Sequence, residues 1–130
     1  MSFKQSVPSL VFKGYGIVLR PVMPQDLARL RRWRNSPRII KQMLDTSYIT
    51  PHQQRLWYEK IRGRVDQAHW VVWCKGIRTG YVNIKGEGPL ESQTEISGGF
   101  YVGDSKVRHG LLGYAIGMIY HEIIFEYFSI

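Results

Sequence analysis

The sequence predicts an α/β fold, a mixed and mostly antiparallel sheet flanked by helices, in a single domain over residues 1–130. Three observations carry that reading. An extended run from Thr94 to Val102 leads through a short connection into Gly110-Leu111-Leu112-Gly113-Tyr114-Ala115, which opens a long apolar helix. Two β-branched and aromatic runs, His69 to Cys74 and Thr79 to Lys85, flank the turn pair Lys75-Gly76 and read as a hairpin. Ahead of them, Thr50-Pro51 is a helix start, a hydroxyl cap followed by proline at the first helical position.

The elements follow in order. Residues 1–15 read as a flexible lead. Ile17-Val18-Leu19-Arg20 is a short strand ended by Pro21. Asp26 opens a helix over Leu27 to Asn35, and Ser36-Pro37 breaks it because a residue before proline leaves the helical region. Arg38 to Leu44 resumes a helical spacing with Ile39, Ile40, Met43 and Leu44. The helix from Pro51 runs to about Arg62 and turns Leu56, Trp57 and Ile61 inward. Gly86 to Pro89 is a loop, and Gly98-Gly99 marks a bulge or an open backbone in the third strand.

Composition narrows the function. Hydrophobic residues make up 44% and aromatics 13%, which suits an ordered core rather than a disordered chain. Net charge is +8, and residues 1–65 carry thirteen Lys/Arg against three acids. A basic front half suits an anionic partner, or is simply a solvated surface. Cys74 is the only cysteine, so no intrachain disulfide forms and a cytoplasmic setting is expected. The last helix carries His121, Glu122 and Glu126, which argues for a core helix over a membrane span. The four histidines lie far apart and no Cys/His spacing recurs, so no metal is expected. Nucleic acid is disfavoured, since the arginines fall on a broken helix with no reading motif.

A strand, a glycine-bearing turn and a helix N-terminus form a backbone anion site, where free amides converge and the helix dipole favours negative charge. The segment Gly110 to Ala115 therefore points to a diphosphate-containing ligand, with Arg108 as an electrostatic aid and His109 either a donor or solvated. Arg34 reads either as a phosphate clamp or as one of a solvated cluster with Arg29, Arg31 and Arg32. Asn35 either caps the broken helix or touches substrate; Trp57 either packs in the core or stacks on a base or sugar face.

The element order, with Gly110-x-x-Gly113-x-Ala115 after the third strand, resembles the GNAT superfamily of acetyl-CoA-dependent N-acetyltransferases. That family's turn reads Gln/Arg-x-x-Gly-x-Gly/Ala, and Gly110 stands here in place of Gln or Arg. Leu19-Arg20-Pro21, Asp26-Leu27, Trp33-Arg34-Asn35 and Ile49-Thr50-Pro51-x-x-Gln54-x-x-Trp57 resemble the branch that acetylates amino groups of nucleotide-linked deoxysugars, as on the way to pseudaminic acid. The resemblance implies acetyl-CoA as co-substrate, with its pyrophosphate on the amides of Gly110, Leu111, Leu112, Gly113, Tyr114 and Ala115. It implies pantetheine and thioester contacts at the amides of Phe100, Tyr101 and Val102, and Glu95 as the acid that removes the amine proton. Acceptor contacts fall on Arg34, Asn35, Gln54 and Trp57. The resembled fold continues past the last helix, so the chain is expected to be a C-terminally truncated version with an open strand edge and a tendency to form homo-oligomers. Alternatives are a protein N-terminal acetyltransferase of the ribosomal-protein type and a catalytically silent CoA-binding module.

Overall fold

A computed structural model of the chain describes residues 7–93, 95–103 and 109–127, with the side chains of His109, Leu111, Ile124, Phe125 and Tyr127 left aside. Five strands form one sheet in the order β1-β2-β3-β4-β5: Phe12–Gly14, Ile17–Pro21, Gln67–Cys74, Ile77–Lys85 and Ser97–Val102. Every pairing among the described residues is antiparallel. Helices α1 (Leu27–Arg34), α2 (Pro37–Ile40) and α3 (Pro51–Ile61) lie between β2 and β3, and α4 (His109–Tyr127) follows β5. The β3–β4 turn is the expected one: Lys75 and Gly76 both take left-handed φ, 52° and 76°, as a two-residue hairpin loop needs.

The sheet is covered on both faces. Side chains alternate along β3, so Ala68, Trp70 and Val72 join one core and Val71 joins the other. The first core also takes Leu19, Val82 and Ile84, and α4 lays Leu112, Ala115, Ile116, Ile119 and Ile123 on it at helical spacing. The opposite side of α4 is solvated, with Gly117, His121 and Glu122 exposed. The second core is smaller and holds Val22, Leu30, Trp33 and Val71 under α1. Asp26 anchors it, receiving Arg78 Nε at 2.6 Å and the Met23 amide at 2.8 Å.

Several expectations shift. Residues 7–14 are not a flexible lead: Val7 is fully buried in the larger core, its amide donates to Glu91 at 2.7 Å, and Phe12–Gly14 pairs with β2. An apolar residue at position 7 caps the space beside Leu90, and that burial orders the segment. The helix expected over Arg38 to Leu44 is a single turn, Pro37–Ile40. Asn35 pins Ile49 by two hydrogen bonds and so draws the intervening chain into an irregular connection. Leu56 points outward at 58% exposure, and the inward position on α3 is Gln54. The third central strand begins at Ser97; its expected start at Thr94 lies outside the described residues.

Among the described residues, β5 pairs only with β4 and leaves its other edge open. No described helix is long and apolar enough to cross a membrane.

Candidate active site

A cavity of about 630 Å³ lies on the α1/α3 face of the sheet. Leu30, Arg31 and Arg34 of α1 form one wall, and Gln53, Gln54 and Trp57 of α3 form another. The floor comes from Tyr81, Asn83 and Lys85 of β4 and from Gly99, Phe100 and Tyr101 of β5, while Met43, Asp45 and Ile49 close the rim. This follows from the strand pleat: Tyr81 and Tyr101 are register partners, so both hydroxyl-bearing rings stand on the same face.

Three of the four expected acceptor residues line this cavity. Arg34 is tied at Nη2 to the Asp45 carbonyl, whereas its buried Nη1 has no hydrogen-bond partner among the described residues. Gln54 is a buried brace: it donates to the Leu27 carbonyl at 2.6 Å and accepts from Arg31 Nη1 at 3.0 Å. Trp57 lines the wall and meets His69 edge-on, with ring centroids 5.3 Å apart. Asn35 does not join them. Its amide oxygen and nitrogen are both spent on the backbone of Ile49, at 2.7 and 2.8 Å, and it shapes the rim from behind.

Glu95 is exposed, two residues before β5, and is not part of the cavity lining. Phe100 is half exposed at the cavity edge, Tyr101 lies at its floor, and Val102 is buried in the larger core. Burial raises the ionisation of the Tyr81 and Tyr101 hydroxyls well above the usual phenol range, so both are neutral. Burial, with Lys85 and Arg64 nearby, lowers His69 from 6.5 to about 4.

A hydrogen-bond chain runs along the floor. The Gly99 amide donates to Asn83 Oδ1 at 3.1 Å, Asn83 Nδ2 lies 3.2 Å from the Tyr81 oxygen, and that oxygen lies 2.6 Å from His69 Nδ1. Nε2 of His69 is 3.0 Å from Gln67 Oε1. Tyr81, Asn83, Lys85, His69 and Arg31 are functional candidates that sequence reasoning passed over. The hairpin register places His69 opposite Asn83 and Val71 opposite Tyr81, and only that register shows the polar side chains meeting.

On the other side of β5, α4 presents its N-terminal end. The first four amides of a helix lack intrahelical acceptors, and no acidic side chain stands in the first turn of α4. Gly110 is exposed and open, whereas Leu112 and Ala115 turn their side chains into the core, leaving only their backbone for a ligand. Tyr114 is 66% exposed. Arg108 and the side chains of His109 and Leu111 lie outside the described residues. A Cβ at Gly113 would lie 3.8 Å from the Phe100 ring, so Phe100 stands beside the first turns of α4 and also lines the cavity. Among the described residues no group of three or more His, Cys, Asp or Glu is arranged to hold a metal ion.

No protein-family model and no curated protein matches the sequence. Solved structures do. A GCN5-related N-acetyltransferase from Brucella melitensis superposes with a TM-score of 0.68 at 17% identity, over 94% of this chain and 57% of that one. The aminoglycoside acetyltransferase AAC(6')-Ib in complex with coenzyme A gives 0.66 at 17% identity, over 84% of this chain and 67% of that one. A domain from Methanocaldococcus jannaschii DSM 2661 gives 0.65 at 17% identity, over 85% and 72%. The chain therefore has the fold of acetyltransferase structures of the GNAT type, and it spans part of their length.

Proposed function

We propose that the chain is an acetyl-CoA-dependent N-acetyltransferase whose acceptor is an amino group on a nucleotide-activated deoxysugar. One observation carries the reading: Phe100 joins the N-terminal end of a 19-residue helix to a 630 Å³ cavity walled by arginines and aromatics. A donor and an acceptor can meet across a single strand.

In this reading the CoA pyrophosphate sits on the first amides of α4, where the helix dipole and open backbone at Gly110 favour it. Pantetheine runs along the open edge of β5, whose free amides pair with it and polarise the thioester carbonyl near Phe100 and Tyr101. The acceptor enters from the cavity, its phosphate meeting the unpartnered Nη1 of Arg34 and its ring lying against Trp57. The amine attacks the carbonyl carbon, the tetrahedral adduct collapses as the CoA thiolate leaves with the electron pair of the broken C–S bond, and the proton released from the nitrogen passes to water. Glu95 reaches this reaction only through solvent, given its position outside the cavity. The same open edge also suits pairing with a second copy, which acetyl-CoA would displace. A reducing, cytoplasmic compartment suits the single thiol of Cys74.

The test is to incubate the chain with acetyl-CoA and a UDP-linked 4-amino sugar, following free thiol and the mass of the sugar nucleotide. Thiol release matched by gain of one acetyl group supports the reading. Acetylation of peptide amines alone, or of nothing, overturns it.

A further inference from the structure

The cavity floor has a fixed hydrogen-bond polarity, set by a backbone group at one end and by His69 at the other. The Gly99 amide can only donate, so Asn83 must present Oδ1 to it. Asn83 then turns its NH2 toward the Tyr81 oxygen. His69 is neutral and its Nε2 faces the Gln67 side-chain carbonyl oxygen, so its one ring hydrogen sits on Nε2 and the bare Nδ1 accepts the Tyr81 proton. The Tyr81 proton is therefore committed to His69, and the Tyr81 oxygen has one lone pair left, on a residue that lines the cavity. It can accept a hydrogen bond and cannot give one.

The charges around that lone pair are uneven. Arg31 and Arg34 face the cavity from α1 and Lys85 from β4, while Asp45 at the rim is the one carboxylate of the lining. Hydrogen bonds from the Ser47 hydroxyl and amide, with Arg34 nearby, hold the Asp45 carboxyl below its usual range. From β3, His69 stands neutral behind Tyr81 and Trp57, and Tyr101 from β5 is neutral as well. Trp57 and Gln54 of α3 add no charge. Three cations against one carboxylate disfavour a further cation in the cavity.

Resting on the acetyltransferase reading above, we propose that the cavity takes its acceptor amine in the neutral form, with the Tyr81 oxygen receiving one N–H. The ammonium loses its proton to water on entering, and the amine keeps a free lone pair for the thioester carbon. Tyr81 is then a catalytic residue that orients the nucleophile, while Asn83 and His69 are positioning residues that fix its polarity. No general base inside the cavity is required, in keeping with the place of Glu95 outside it.

The experiment is calorimetric titration of the UDP-linked 4-amino sugar in two buffers of different ionisation enthalpy, below the amine's solution pKa. Binding should release about one proton per acceptor, and Tyr81→Phe should erase at least a tenfold preference for the amino sugar over its 4-deoxy analogue. Binding without proton release, or no preference for the amine in the wild type, overturns the proposal. The proton release is read on the unaltered chain, so a variant that folds poorly does not decide it. Acetyl transfer is measured separately: transfer with no proton release on binding sinks this inference and leaves the function standing, whereas absence of transfer sinks the function.

Discussion

Gly103 closes β5 against the smaller core, and replacing it with alanine is the sharpest structural perturbation the fold offers. Its amide donates to the Thr79 carbonyl at 2.8 Å and its carbonyl accepts from Arg38 Nη2 at 2.8 Å, so the backbone cannot drift away. A Cβ there would fall inside the Trp33 indole, with even the third-nearest ring atom only 2.5 Å away. Carbon atoms in contact sit about 3.5–4.0 Å apart. Trp33 is 7% exposed and packs edge-on against Tyr101 at 6.4 Å, so it has no free space to retreat into. Overpacking of this kind costs about 1–3 kcal/mol, and expelling the indole costs about 3–5 kcal/mol. We expect Gly103→Ala to lose about 3 kcal/mol, read as a lower urea midpoint with an unchanged slope and a melting temperature down by roughly 10 °C. Gly117→Ala is the control. Nothing lies within 4 Å of a Cβ at this helical site, so it should gain about 0.5–1 kcal/mol. Equal stability of Gly103→Ala and wild type would refute the placement of Trp33 against Gly103 and Tyr101.

Stability should also depend on acid through His69. Its folded-state value of about 4 lies below the ordinary 6.5, so the stabilising neutral form is fully present above pH 6.5 and the benefit fades as pH falls toward 4. The loss should be ~3 kcal/mol over that window, and His69→Gln should flatten the slope in denaturation curves taken against pH. Arg34→Ala should raise KM for the UDP-linked amino sugar about tenfold to a hundredfold, the worth of a charged hydrogen bond, and leave KM for acetyl-CoA nearly unchanged in steady-state assays. Equal effects on both substrates would contradict the phosphate role. Light scattering over a concentration series should show self-association through the open β5 edge, reduced by acetyl-CoA; a monomer at every concentration would count against it.

Much of the fold was legible because local chemistry and tertiary demand agree. Thr50 caps α3 as its sequence suggested, with a reciprocal Gln53 bond at 2.9 Å, and Lys75-Gly76 supplies the left-handed pair of a hairpin. The failures lie where tertiary contacts override local pattern. The 38–44 segment has helical spacing, yet the Asn35–Ile49 clasp stops it after one turn. Val7 looked like part of a loose lead and is a buried plug. In the site, Arg34, Gln54 and Trp57 were singled out by the Trp33-Arg34-Asn35 and Ile49-to-Trp57 motifs that carry the family resemblance, and all three line one cavity. Tyr81 and His69 were not, because strand residues that meet across a register carry no linear signature. Asn35 was half read: its polar ends are real, but they serve the backbone.

The N-terminal end of α4 is the proposed seat of the acetyl-CoA diphosphate, and Gly110→Glu places a negative charge there. The site is open, with nothing within 4 Å of a Cβ, and a carboxylate in the first turn should stabilise the helix by about 0.3–1 kcal/mol. The same carboxylate faces the pyrophosphate and repels it. Calorimetric titration with acetyl-CoA should therefore show binding to the wild type and at least a tenfold weaker affinity for the variant, more than ~1.4 kcal/mol, with a melting temperature no lower. Equal affinity in the two proteins, or no binding to the wild type, would contradict the account.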